Sequence, residues 1–321
     1  MDVYKTVVLN MNNQIQKINL NHSFIFFLLS NIFSLIIFKV NNLSISSFVC
    51  YLLILSIGVS HGSLDHIKGK KLLKILNLKS IYIFYLTYIF LVGLVMYIWV
   101  STPSVSLIIF LIVAAYHFGK EDTQFLVNKI NFFNQLLFLF KGMLIILAPI
   151  FFHFNETVEI FKLLLIDNET FYLILSFIEK NNIIIIGIIL STISSSYLFF
   201  KNFEVKKFSI FFDYFSILIL NYYLSPLLAF TIYFCFLHSI RHSISLINEL
   251  DKNDFNNGSK LFIKKAIPLT LITAVFSIVG LYLLNNNYTF ESSILKIIFI
   301  GLASLTFPHI LLEYFLEKNE K

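Results

Sequence analysis

Six of the eight histidines fall in four short polar islands cut into apolar sequence. The islands hold His61, Asp65 and His66; His117, Glu121 and Asp122; His238, Arg241 and His242; and Pro308 with His309. Ionisable groups within membrane-spanning sequence are costly and mark function by default. Several imidazoles gathered without thiolates suit a borderline metal such as iron, zinc or copper. His238 and His242 stand four residues apart, which places both on one helix face, and two imidazoles at that spacing can hold one metal. His61 and Asp65 share the spacing. A ligating imidazole usually donates its second N–H to a carboxylate, so Asp65 is expected to orient an imidazole or to cap the basic loop that follows. Gly62 and Gly119 follow His61 and His117 and permit tight turns or close helix approach.

The blander reading is a set of unrelated polar residues at helix ends. A lone histidine there is usually structural, but repeated occurrence on one side of the membrane weighs against that. Four neutral imidazoles on ferrous iron would leave positions for oxygen and substrate. Redox-inert zinc could not activate dioxygen, although zinc hydrolysis stays open from ligand type alone. Copper is disfavoured because no Met or Cys lies within an island. His309 is expected either to support a metal centre or to satisfy a kink at Pro308, where the last span should break. Arg241 should point away from the face shared by His238 and His242, toward Asp65, Asp122 or the headgroups. Lys141 and Asp213 are expected to form an ion pair between two spans.

The elements that must position these residues follow from composition. Hydrophobic residues make up 58% of the 321 and charged residues 13%, against roughly 25% charged in a soluble domain. An all-α polytopic membrane bundle of about 8–10 transmembrane helices is expected. The candidate spans are 23–40, 43–60, 80–100, 105–118, 133–152, 182–200, 208–223, 227–247, 266–284 and 293–316. Residues 1–22 read as a short cytosolic arm, 23–316 as one transmembrane domain and 317–321 as a cytosolic tail. The charged stretch 156–181 reads as amphipathic helix along the interface rather than a span.

The net charge of +6 reflects loop lysines, not a nucleic-acid site. Lysines concentrate in one alternate set of loops, which predicts cytoplasmic termini in a cell (inner) membrane. All four islands then lie toward the cytoplasmic side and could converge. His153 exits on the opposite side, and His22 has no polar companions, so both are left out. Cys50 and Cys235 sit in apolar stretches, which argues against a disulfide or thiolate site.

The ordered set HGxxDH, HFGxxD, HSxRH and PH, spread over residues 58–313, resembles the Brp/Blh family of bacterial and archaeal β-carotene 15,15′-dioxygenases. The resemblance implies cleavage of the central double bond of β-carotene by O2, at non-haem Fe(2+), to two molecules of all-trans-retinal. It implies His61, His117, His238 and His242 as iron ligands, with Asp65, His66, Asp122, Arg241 and His309 as supporting residues. Ser60 departs from the proline that many members carry before the first histidine. Retinal as product implies a microbial rhodopsin as its recipient. β-Carotene is about 30 Å long, comparable to the hydrocarbon core, so islands near one side imply a tilted tunnel opening to the lipid. The alternatives are a di-iron lipid desaturase or hydroxylase and a metal or proton transporter. The first needs HxxHH boxes that are absent from the sequence, and the second predicts polar residues on both sides of the midplane.

Overall fold

The computed structural model describes residues 2–40, 45–127 and 131–319, without the side chains of residues 2–14 and 61. Every regular element among the described residues is helical. The first is α1 (Asp2–Lys39), followed by α2 (Ser47–Leu53), α3 (Asp65–Ile75), α4 (Ile81–Ser101) and α5 (Pro103–Glu121). Next come α6 (Phe132–Phe152), α7 (Phe154–Leu163), α8 (Glu169–Lys180), α9 (Ile183–Phe200) and α10 (Phe208–Tyr223). The chain ends with α11 (Pro226–Ile232), α12 (Ile240–Leu250), α13 (Phe255–Leu284) and α14 (Phe290–Asn319). Starts are marked by side chains that accept orphan amide protons, such as Ser46, Asn131, Asn168 and Asp254, and by Pro103 and Pro226 in first turns.

Nine stretches of the described chain are long and apolar enough to cross a membrane, within the expected range. The one expected span outside these nine, 208–223, is α10, which has only 16 residues, short of the roughly 20 that a bilayer core requires. It packs along α1 and also touches α6 and α9. Residues 2–22 of the expected cytosolic arm are helical and belong to α1, which runs unbroken into the first span. The expected break at Pro308 is also absent, since α14 continues through it. A bundle interior tolerates the one backbone hydrogen bond that proline removes. Between 154 and 180 the chain forms α7 and α8, neither of which qualifies as a span.

Burial divides the bundle into an inner and an outer set. The Pro226–Leu250 segment is 67% buried over its most apolar window, whereas the corresponding windows of α4 and α13 are 6% buried. Two tight approaches fix the interior. A Cβ on Gly119 would lie 1.8 Å from the Phe138 carbonyl oxygen, and one on Gly142 would lie 1.8 Å from that of Ala115. Only glycine on both helices lets α5 and α6 cross this closely.

The second approach joins two π-helical turns, Ile54–Gly58 and Tyr233–Ser239. The Ser239 hydroxyl donates to the Gly58 carbonyl at 3.1 Å, and a Cβ on Gly58 would meet the Phe234 ring at 2.6 Å. Such turns reset the register of a helix and recur at functional sites. Here one of them carries His238.

Candidate metal centre

His117 lies near the C-terminal end of α5, His238 in the second π turn, His242 in α12 and His309 in α14. All four rings are buried. The ring centroid of His117 is 5.3 Å from that of His238 and 5.4 Å from that of His309, which lies 5.5 Å from His242. The islands therefore converge. His61 belongs to the short 3₁₀ turn Val59–Leu64, but its side chain lies outside the described residues.

Three of the imidazoles are backed by carboxylates. Asp65 accepts from Nδ1 of His309 at 2.8 Å, Glu121 from Nδ1 of His242 at 2.9 Å, and Asp122 from Nδ1 of His238 at 3.3 Å. A carboxylate only accepts, so each neutral ring carries its proton at Nδ1 and its lone pair at Nε2. That is the usual posture of a metal-ligating histidine. Asp65 and Asp122 are themselves held by the hydroxyls of Tyr88, at 2.9 Å, and Tyr233, at 2.6 Å.

Asp65 thus orients an imidazole, as one of its two expected roles required, and the ring is that of His309. Proximity to Asp65 and the other rings gives His309 more than the relief of a proline kink to do. His66 lines the cavity beside these rings, with Nδ1 at 3.0 Å from the Ser63 carbonyl. His22 bonds the Phe236 carbonyl at 2.8 Å, and His153 closes α6 beside Glu156 at 3.5 Å.

Arg241 points to the far side, as expected, but its principal partner was not anticipated. Its Nη1 and Nη2 donate to the two oxygens of Asp213 at 2.7 and 3.0 Å. Nη1 also donates to the Asp122 carbonyl at 3.2 Å, and Nη2 to the Ser23 hydroxyl at 2.6 Å. The fork geometry of the guanidinium wins this carboxylate, so Asp213 pairs with Arg241 instead of the expected Lys141. The result ties α1, α10, α12 and the end of α5 behind the histidines.

Glu313 is the acidic residue that spacing arguments passed over. It stands one helical turn after His309, the same i, i+4 relation that singled out His238 and His242, and that was the available signal. Its Oε1 lies 3.7 Å from Nε2 of His309, 3.9 Å from Nε2 of His242 and 2.6 Å from the Lys68 ammonium. Tyr88 and Tyr233 carried no signal, being two of sixteen tyrosines.

The donor set suits a metal by its chemistry. Ligand atoms of His117, His309 and Glu313 lie within 4.8 Å of one another, as do those of Glu121, His242 and Glu313. Imidazole and carboxylate without thiolate fit non-haem iron, and Cys50 and Cys235 are buried in the apolar core. In the second group Glu121 already accepts the Nδ1 proton of His242, so it works better as the support of a ligand.

Beside the rings lies a cavity of about 170 Å3 whose wall includes His117, His238, His309, Phe84, Tyr88 and Leu302. It reaches Ile89 of α4 and Thr273 of α13, on the helices least buried in the bundle. Its wall is mostly apolar, so it fits a nonpolar molecule approaching from lipid rather than an ion from water.

A helical membrane bundle that turns its histidines inward, next to an apolar chamber, defines a membrane-embedded protein with a histidine-rich centre. Residues 52–317 match the family model described as Beta-carotene 15,15′-dioxygenase, and the chain belongs to that family. It is similar to a protein of that name from uncultured marine bacterium 66A03, at 27% identity over 270 residues. That alignment covers 81% of this chain and 90% of its relative. No solved structure matches the chain.

Proposed function

We propose that the protein cleaves the central 15,15′ double bond of β-carotene with O2, each new terminus taking one oxygen atom, to give two molecules of retinal. The observation that carries this reading is the set of carboxylate-backed imidazoles opening onto an apolar cavity. Family membership and the name of the relative support the substrate and the bond. The ligands we assign to ferrous iron are His61, His117, His238 and His242. Bound iron would supply the one-electron chemistry that lets triplet oxygen react with a closed-shell alkene.

The side chains do the rest. Glu121 and Asp122 hold the rings of His242 and His238 in one tautomer and orientation. Phe118, with its ring centroid 4.7 Å from that of His238, and Phe234, nearly parallel to His238 at 5.9 Å, screen that ring from water. No side chain has to donate or remove a proton for the overall conversion, because substrate and O2 together contain every atom of the products. A centre on the cytoplasmic side of the cell membrane is the placement the lysine count gives when all ten expected spans cross, and it would release retinal where a microbial rhodopsin could take it up.

A second ligand set has its own observation, the mutual approach of His117, His309 and Glu313. Two histidines and one carboxylate are the facial arrangement of many non-haem iron oxygenases. Glu313, however, is already engaged by Lys68.

The test is expression in a β-carotene-accumulating bacterium, with pigment colour and retinal chromatography as readouts. Loss of orange colour with appearance of retinal is expected. Persistent pigment without retinal, in cells with verified membrane insertion and iron loading, would overturn the reading. His117→Ala should remove iron and activity together, beyond the ~10–100-fold typical of supporting residues. His309→Ala should keep iron if His61, His117, His238 and His242 are the ligands, and lose it if the alternative set is correct.

A further inference from the structure

A second, smaller cavity of about 80 Å3 lies deeper in the bundle. Three chain segments line both chambers in continuous register. Along α5, Phe110, Leu111 and Ala114 face the small cavity, His117 faces the large one, and Phe118 borders both. Along the segment from α11 into the π turn, Pro226, Ala229, Phe230 and Tyr233 face the small cavity, and Phe234 and His238 the large one. On α14, Phe299 belongs to the small cavity, and Leu302, Leu305 and His309 to the large one. The chambers lie at two levels of the same three segments, offset along the helices at about 1.5 Å per residue.

Aromatic rings form the partition. Phe118 meets Phe234 edge-on at 6.2 Å, Phe234 stacks on Phe230 at 5.5 Å, and Phe230 lies 5.6 Å from Phe299. The small cavity also has polar groups, but they are occupied. Asn221 donates its amide to the Ile217 carbonyl at 2.8 Å, and the Thr157 hydroxyl donates to the His153 carbonyl at 2.9 Å. With a donor of Asn221 and of Thr157 spent on backbone and most of its wall apolar, this chamber suits hydrocarbon better than water.

We infer that the small cavity is the second arm of the substrate channel, and that Phe118 divides the arms beside the reacting bond. The inference rests on the proposed cleavage of β-carotene. A rod cut at its midpoint must extend equally to both sides of the cutting site. The large cavity, reaching the outward-facing helices α4 and α13, holds only one half. The other half has to pass Phe118 and enter the space bounded by Ala114, Ala229 and Phe230. Rotation of the Phe118 ring, shared by both chambers, joins them. The depth of the small arm then sets which double bond rests at the histidines, so Ala114, Phe118 and Ala229 determine where the polyene is cut.

The test compares β-carotene with a β-apocarotenal whose second arm is shortened and lacks the ring. Ala229→Phe and, as the gentler filling, Ala114→Leu are assayed in detergent-solubilised full-length protein with intact helicity. Blocking the arm should lower the ratio of β-carotene cleavage to apocarotenal cleavage by about tenfold or more, since the apolar contacts of half a substrate are lost. Any β-carotene cleavage left in the filled variants should yield aldehydes of unequal length. Phe118→Leu should keep the ratio at or above its wild-type value.

Parallel loss of both substrates in well-folded variants, or no change in either, would overturn the inference. Binding of the two carotenoids to metal-free protein, followed by their absorption shift, separates this idea from the underlying reading. Selective loss of β-carotene binding in Ala229→Phe supports the second arm even if wild type cleaves neither substrate, an outcome that would sink only the dioxygenase reading.

Discussion

The segment Pro226–Leu250 and the helix α4 are both apolar enough to span a membrane, yet the first is 67% buried over its most apolar window and the second 6%. The first carries His238, Arg241 and His242, all buried. The second presents Leu86, Ile89 and Phe90 outward and sends one hydroxyl, that of Tyr88, to the cluster. Hydropathy is blind to this difference because lipid and protein interior are equally apolar. Polar side chains are sensitive to it. They are affordable where neighbouring helices supply partners, so the buried segment accumulates the chemistry and the outer helix supplies the wall and the doorway.

The largest effect should come from breaking the inner segment at Arg241. Its guanidinium joins Asp213, the Asp122 carbonyl and Ser23. Removing one partner of a buried pair leaves the other charge stranded, at a cost of about 3–5 kcal/mol. Arg241→Leu should therefore lower the thermal unfolding midpoint in detergent strongly. On the outer side, Lys264→Ala, at an exposed position, should stay within ~0.5 kcal/mol of wild type. Equal stability of the two variants would mean that the inner segment is not the structural keystone its burial suggests.

The same contrast explains what could be read from sequence. Span positions and the four islands were legible because hydropathy and ionisable residues stand out from each other. The i, i+4 spacing drew His238 and His242 together, and both join the cluster. Which carboxylate meets which imidazole was not legible, because those pairs cross the bundle. Asp65 meets His309 across 244 positions, and Glu121 meets His242 across 121. The two π turns were hidden as well, since they arise from packing of Gly58 against Phe234 rather than from local propensity. Arg241 was read with the right direction and with Asp122, 3.9 Å from its Nη1, among its partners; its principal partner was missed because Asp213 had been paired with Lys141.

A smaller effect should separate residues within the site. Asp65 holds His309 at Nδ1, and loss of such a support typically costs ~10–100-fold in metal affinity or activity. Asp65→Asn retains the shape and the bond from Tyr88 but loses the charge and much of the pull on the Nδ1 proton. Turnover at saturating iron should show the decrease; iron affinity falls with it only if His309 is itself a ligand. His66→Ala removes a ring that bonds the nearby Ser63 carbonyl and should leave iron affinity and turnover near wild type. A reversed order would move the centre from the Asp65–His309 side toward His66.

The smallest effect is expected on the outer helix, where it is also the most diagnostic. Leu86 and Ile89 are 70% and 68% exposed, and neither gains much by burial when lipid is the surrounding solvent. Only Ile89 borders the large cavity. Leu86→Trp and Ile89→Trp should therefore leave stability within ~0.5 kcal/mol of wild type, while Ile89→Trp alone narrows the opening between α4 and α13. A doorway acts before the reacting geometry is reached, so its narrowing should raise KM for β-carotene severalfold and leave kcat nearly unchanged, because uniform loss of binding spares the chemical step. Steady-state assays across a carotene concentration series measure the split. A fall in kcat for Ile89→Trp at constant KM would place this residue against the reacting bond instead of at the doorway, and an equal response at Leu86 would show that these two positions on α4 do not differ as their contacts imply.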